Sequence, residues 1–146
     1  MSFVNASKDS FSVKAYVGDE KTLLAFNFTT KDKATNLAGF TIFCQPPGQV
    51  PGYFLLNTLQ FEDPSKHKQV AGEKPNSTAN APIQKYRWTH YPGTAHQGLT
   101  PAFGDYTYTV TPTLFWGKRF HAGAGLFPEC LRHGACGAIR ERRGRA

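Results

Sequence analysis

The sequence has few cysteines, no long apolar run and fewer acidic than basic residues, and each shortage limits what the protein can be. Its three cysteines, at Cys44, Cys130 and Cys136, are an odd number and do not suggest a disulfide framework. No stretch approaches the roughly 18 apolar residues of a transmembrane helix. The start, MSFVNASKDS, has no apolar run behind a basic segment, as a secretory signal would. We therefore expect no membrane span and a cytoplasmic location.

Recognisable catalytic motifs are scarce as well. The sequence contains no Gly-rich phosphate loop, no Gly-x-Ser-x-Gly elbow and no pair of carboxylates in a familiar acid/base arrangement. We therefore predict that this chain, taken alone, has no catalytic residue and needs no cofactor.

Acidic residues are especially scarce near the end of the chain. Residues 1–112 contain ten Lys and Arg against eight Asp and Glu, whereas residues 113–146 contain seven against two. Such a change of composition indicates a boundary. Two interpretations fit it: a basic arm that binds nucleic acid or acidic lipid, or a GC-rich coding region read in a shifted frame. Both predict that residues 113–146 form a basic, irregular or disordered tail.

What the sequence does contain is apolar alternation with a period of two, which is typical of half-buried strands. It is clearest where Phe11, Val13, Ala15 and Val17 alternate with polar residues. Turn residues separate six such segments, at 10–17, 22–30, 38–44, 53–61, 83–91 and 104–111, and the polar stretch 62–82 is predicted to be a long surface loop. The pattern predicts an all-β fold, an immunoglobulin- or fibronectin III-like antiparallel sandwich over residues 7–112.

The segment GDYTYTVTP at residues 104–112 is the most diagnostic. It resembles the penultimate strand of immunoglobulin-like and fibronectin III sandwiches, in which a tyrosine near the start of the strand bonds back to the preceding corner. Tyr106 is predicted to take that place. Such a sandwich needs one more strand after Pro112, and no later segment shows clear alternation.

Several blocks of this body also point to one family. The segments FTTKDKATNLAGFTIFCQPPG, YFLLNTLQFEDPSKHKQ, NAPIQKYRWTHYPG and GDYTYTVTP resemble the amino-terminal domain of bacterial phospholipase D-like proteins. The resemblance implies a β-sandwich that precedes, and has as its partner, a catalytic region with paired His-x-Lys-x4-Asp motifs. Those motifs are missing here, so no catalytic residue carries over, and the chain is expected to be truncated or frame-shifted after about residue 112.

Two small groups of residues are candidate sites. Cys130, His133 and Cys136 are residue types that zinc accepts, but their spacing matches no common structural zinc pattern, so we predict no metal site. A candidate ligand face comprises Lys85, Arg87 and His90, near Trp88 in the predicted fifth strand. Cationic side chains on one face can contact an anionic ligand, although they are also typical of the solvated face of a sheet.

Three functions follow as hypotheses. The first is a non-catalytic accessory domain of a phospholipase D-like phosphodiesterase. The second is a stand-alone binding module for carbohydrate or an anionic polymer, and the third is nucleic-acid binding through the basic tail. The position of Trp88 is expected to separate the first two. A core tryptophan favours the accessory domain, whereas a surface tryptophan favours a stacking platform for a ligand.

Overall fold

Strands make up almost all the regular structure of the residues that the structure describes. The computed structural model describes residues 2–8, 10–48, 51–67, 69–92, 102–116, 119–120 and 137–142. In these residues the only helices are two short 3-10 turns, at Lys31–Ala34 and Pro64–Lys66. The strands are β1 (Ser2–Lys8), β2 (Phe11–Val17), β3 (Thr22–Phe28), β4 (Leu37–Gln45), β5 (Tyr53–Phe54), β6 (Arg87–His90), β7 (Asp105–Trp116), β8 (Arg119–Phe120) and β9 (Gly137–Arg142).

The strands form two antiparallel sheets, which confirms the predicted all-β, antiparallel fold. The first sheet has the order β1-β2-β3-β6, and the second has the order β5-β4-β7-β8, with β9 also paired to β7. The immunoglobulin-like assignment stays a prediction: only part of each sheet, β2-β3-β6 and β4-β7-β9, has the A-B-E and C-F-G orders of such a sandwich. The short strand β6 lies at an outer edge of the first sheet, which matters for the site described below.

Alternating side chains from both sheets fill one apolar core. Phe40 of β4 lies near its centre, with ring centroids 4.5 Å from Phe26, 5.8 Å from Phe11 and 5.2 Å from Tyr86. The predicted alternation is confirmed at most positions of β2, β3 and β7, which bury mainly one face, whereas β4 is buried on both faces from Ala38 to Ile42. The buried residues include Phe11, Val13, Ala15, Leu24, Phe26, Phe40, Ile42, Cys44, Tyr106, Tyr108 and Val110, whereas Val17 is only half-buried.

The corner before β7 is held by a buried tyrosine, as predicted. The Tyr106 hydroxyl donates to the backbone carbonyl of Ala102 at 2.9 Å and accepts from the Ala102 N–H at 3.1 Å. Only 1% of Tyr106 is exposed, so these two bonds satisfy a polar group that has lost its water. The bonds fix the chain entering β7 against the core.

The predicted surface loop at 62–82 is wrong for its second half. Residues 77–82 are buried, and the Thr78 hydroxyl bonds both the N–H (3.1 Å) and the carbonyl (3.2 Å) of Ile42 in β4. The Asn57 amide likewise donates to the carbonyls of Ala81 (2.9 Å) and Pro82 (3.2 Å). Polar side chains are therefore used inside the fold to bond backbone, which composition alone does not reveal. The predicted strand at 53–61 is also shorter, since only Tyr53–Phe54 pairs as a strand.

Strand structure is present on both sides of the predicted boundary at Pro112. Strand β7 continues through Pro112 to Trp116, and Gly137–Arg142 pairs with Asp105–Val110 of the same strand. Pro112 is tolerated because its partner Phe40 directs its backbone groups to Ile83 instead, so no ladder bond to β4 is required there. Residues 117–118, 121–136 and 143–146 lie outside the described residues.

The Tyr106 corner gives a first prediction. Tyr106→Phe keeps the ring but removes the hydroxyl, and we expect it to lower the free energy of unfolding by about 1–2 kcal/mol. Urea denaturation measures the change. Tyr86→Phe is the matched control, because Tyr86 is 44% exposed and the hydroxyl removed there is accessible to water. Equal losses in the two variants would contradict the role assigned to the corner.

Candidate ligand-binding groove

The candidate site lies along β6, where side chains on the two faces of the strand have different environments. The register places Trp88 opposite the buried Leu24, and Arg87 opposite Ala25. Because directly paired residues share a face, Trp88 and His90 point towards the core, whereas Arg87 and Thr89 point outwards. Successive residues of β6 therefore alternate between packing against the core and facing solvent.

Three clefts open beside β6, and we call them together the β6 groove. Their volumes are about 340, 650 and 510 Å³. Trp88 and Thr58 line all three, so they form the ridge where the clefts meet. Further lining residues are Leu23, Leu55, Leu56, Asn57, Leu59, Gln60, Phe61, Lys74, Asn76, Ala81, Pro82, Ile83, Gln84, Lys85, Arg87, Thr89, His90 and Tyr91.

Trp88 belongs to both the core and the surface. It is half-buried and packs against the core cluster, while its remaining surface lines the groove. The two alternatives considered for this residue, core or stacking platform, are therefore combined in one side chain. A ring held by packing on one side loses little conformational freedom when a ligand covers the other side.

The groove carries a positive charge. Lys74, Lys85 and Arg87 line it, and none of its described lining residues is Asp or Glu. In the described part of the chain these three cations form no ion pair, whereas Lys66 pairs with Asp63 at 3.2 Å elsewhere. Unpaired cations beside apolar surface attract anionic groups.

His90 does not lie on the same face as the other two candidate ligand residues. Lys85 and Arg87 are exposed, whereas His90 is only 4% exposed and points inwards. Its Nδ1 lies 2.8 Å from the Tyr108 hydroxyl, and its Nε2 lies 3.5 Å from the Tyr53 hydroxyl. Proximity in sequence suggested one face, but the two-residue period separates His90 from Arg87.

The polar cluster formed by the buried His90 and Tyr108 and the half-buried Tyr53 was not predicted. Burial raises the pKa of Tyr53 well above its ordinary value, and the neighbouring Cys44 thiol adds to the effect. The hydroxyl is therefore a stable neutral partner for the imidazole. The sequence spacing indicates that both residues point inwards. His90 follows Trp88 by two residues and Tyr108 follows Tyr106 by two, so each shares the face of a residue predicted to lie in the core.

The remaining candidates fall outside this groove. Cys130, His133 and Cys136 lie outside the described residues, as do Arg132, Arg143 and Arg145 of the tail. In the part of the chain that is described, no group of three or more His, Cys, Asp or Glu is placed to hold a metal ion. No helix in the same residues has the length and apolar character needed to cross a membrane.

The fold and groove define the chain as an all-β, two-sheet domain with a basic, partly aromatic groove at one sheet edge. Comparison with protein-family models, with curated proteins and with solved structures finds no match. The phospholipase D-like resemblance stays a prediction.

The His90 cluster gives a second prediction. His90→Leu removes the imidazole from two tyrosine hydroxyls in the interior, and we expect a loss of about 1–3 kcal/mol in the free energy of unfolding. The companion variants are Tyr108→Phe and the double variant, all measured by urea denaturation. A coupling energy of about 1 kcal/mol is expected between the two sites, because their side chains lie in direct contact. Strict additivity would contradict the proposed bond.

Proposed function

We propose that this chain is a non-catalytic binding domain whose β6 groove holds an extended anionic ligand. The observation that carries the proposal is the position of Trp88, fixed by the core and lining all three clefts, next to Lys85 and Arg87. The groove has apolar walls and a few cations, a combination that suits a ligand with both an apolar surface and negative charge.

An extended shape is favoured by how the groove is built. The three clefts share Trp88 and Thr58 and are therefore adjacent, so one ligand of sufficient length could occupy more than one of them. Lys74 lines one of these clefts, whereas Lys85 lines the other two. Negative groups spaced along a chain would meet these cations in turn, so a polymer would gain more than a small anion.

Charge reversal tests this function. Lys85→Glu and Arg87→Glu are each expected to weaken binding of two carboxylate polymers, polyglutamate and polygalacturonate, by about fivefold or more at low salt. Calorimetric titration measures the affinity, and the effect should shrink as salt is added because the side chains are exposed.

The matched control is Lys31→Glu, which makes the same charge change at an exposed residue outside the groove. Neutral dextran is the control ligand. If the wild-type chain binds neither polymer, or if Lys31→Glu weakens binding as much as the groove variants, the proposal fails.

We propose, as a second function, that the domain is an accessory to a phospholipase D-like catalytic region. Its support is the sequence resemblance, together with the fact that the resembling blocks contribute strands β4, β5, β6 and β7 to both sheets of one sandwich. In this case the β6 groove would face the partner region. Nucleic-acid binding through residues 113–146 stays a prediction from the charge of the tail.

The accessory function predicts that the chain is inactive on its own. Purified protein is expected to leave bis(p-nitrophenyl) phosphate unhydrolysed, because the sequence lacks the His-x-Lys-x4-Asp motifs. Release of p-nitrophenolate, followed by absorbance, is the measurement. Hydrolysis that co-purifies with the protein over successive columns and scales with its concentration would contradict the non-catalytic assignment.

A further inference from the structure

The outer edge of β6 has backbone groups that none of the strands in the described part of the chain engages. The Phe26 N–H donates to the Tyr86 carbonyl at 2.9 Å, so these opposite residues form a hydrogen-bonded pair between β3 and the chain entering β6. Hydrogen-bonded pairs alternate along an antiparallel ladder, so Trp88 and His90 also direct their backbone groups towards β3. The N–H and carbonyl groups of Arg87 and Thr89 therefore point away from the sheet, into the β6 groove.

The described residues place no strand against this edge. In an immunoglobulin-like sheet of order A-B-E-D, the strand corresponding to β6 has a further neighbour. Here the connection from β5 to β6 runs along β4 instead, where Leu55, Thr78 and Ile83 bond the β4 backbone. The groove thus lies where a fourth strand of that order would pair, next to two unengaged residues of β6.

We infer that the β6 groove accepts an extended peptide segment of a partner protein, which adds to the first sheet as a strand antiparallel to β6. This inference rests on the proposed function and names its ligand class. Peptide backbones recognise an exposed sheet edge through main-chain hydrogen bonds, and alternate side chains then supply specificity. Arg87 and Thr89 each present a backbone N–H and a carbonyl. A polysaccharide has no backbone of alternating N–H and carbonyl groups that could pair with them.

The two faces of the added strand meet different surroundings, and this sets the sequence of the ligand. Residues opposite Arg87 and Thr89 share their outward face, where Arg87 and Lys85 favour Asp or Glu. Residues between them point inwards, towards Trp88 and the leucines that line the groove. The ligand is therefore a segment in which acidic and apolar residues alternate.

A second copy of this chain is a poorer occupant. Symmetric pairing of two β6 strands would bring Arg87 and Lys85 of one copy close to the same cations of the other. Like charges facing each other across strands destabilise the pairing. The edge thus favours a partner of opposite charge over self-association.

The probe is a peptide, acetyl-(Glu-Val)3-amide, with acetyl-(Lys-Val)3-amide as its charge-reversed control. Binding is measured by calorimetric titration of the full chain, and we expect the acidic peptide alone to bind. N-methylation of the Glu amides, which would face β6, is expected to weaken binding about tenfold, because hydrogen bonds to the edge are lost. N-methylation of the Val amides, which would face away from β6, is the matched control and is expected to have a smaller effect.

A protein variant tests the same edge. Thr89→Pro removes one outward N–H, and proline is tolerated on an edge strand where no ladder bond is made. It is expected to weaken peptide binding about fivefold or more, whereas Thr89→Val keeps the N–H and is expected to bind normally. Circular dichroism checks the fold, and the N-methylated peptides keep the test decisive if Thr89→Pro does not fold.

The outcomes separate the inference from the function on which it rests. If the acidic peptide binds but both N-methylated forms bind equally well, strand addition is overturned while anionic binding stands. If polygalacturonate binds and the peptide does not, the ligand is a polysaccharide and the inference fails. If neither binds, the proposed function fails as well. A dimer measured by sedimentation and abolished by Thr89→Pro would overturn the choice of occupant.

Discussion

The central strand β4 has to find hydrogen-bond partners on both of its edges in a dry interior, and the rest of the structure depends on how it does so. Strand β7 pairs with one edge along most of its length. The other edge is covered piece by piece, by the two residues of β5, by the Thr78 side chain and by the backbone of Ile83. An unsatisfied backbone group in this position would cost about 1–3 kcal/mol.

The way in which this second edge of β4 is covered also explains why a groove forms beside β6. The chain between β5 and β6 is drawn into the second sheet to cover β4, so it does not reach β6 as a strand. Asn57 then fixes the two parts of this connection together through the carbonyls of Ala81 and Pro82. As a result, the segment after β5 forms one wall of the groove and β6 forms the other, with Trp88 between them. The site follows from a backbone requirement elsewhere in the fold.

Much of the sandwich could be predicted from the sequence, because β2, β3 and β7 bury mainly one face and so alternate visibly. Strand β4 is buried on both faces from Ala38 to Ile42, but Phe40, Ile42 and Cys44 still recur with a period of two. Tyr106 was predictable for the same reason, since a turn precedes it and a Tyr-x-Tyr-x-Val pattern follows. Residues 77–82 were not, because their polar side chains bond buried backbone rather than water. His90 was misassigned by proximity, although the period of two places it with Trp88. Strand β9 has the sequence GAIRER, which shows too little alternation to be recognised.

The positive charge of the groove has two consequences: it discourages pairing with most strands, and it attracts an acidic one. An outer strand with unengaged backbone groups tends to pair with other chains, and basic residues on it discourage such pairing. Arg87 and Lys85 act in this way only against strands that are neutral or basic on the facing side. The same side chains attract an acidic strand. The charges that discourage pairing with other strands therefore favour pairing with an acidic one. Trp88 strengthens this choice, because the core holds it in place before any ligand arrives and an inward-facing apolar residue can cover its remaining exposed surface. The edge of β6 therefore disfavours pairing with neutral or basic strands and favours pairing with a strand in which acidic and apolar residues alternate.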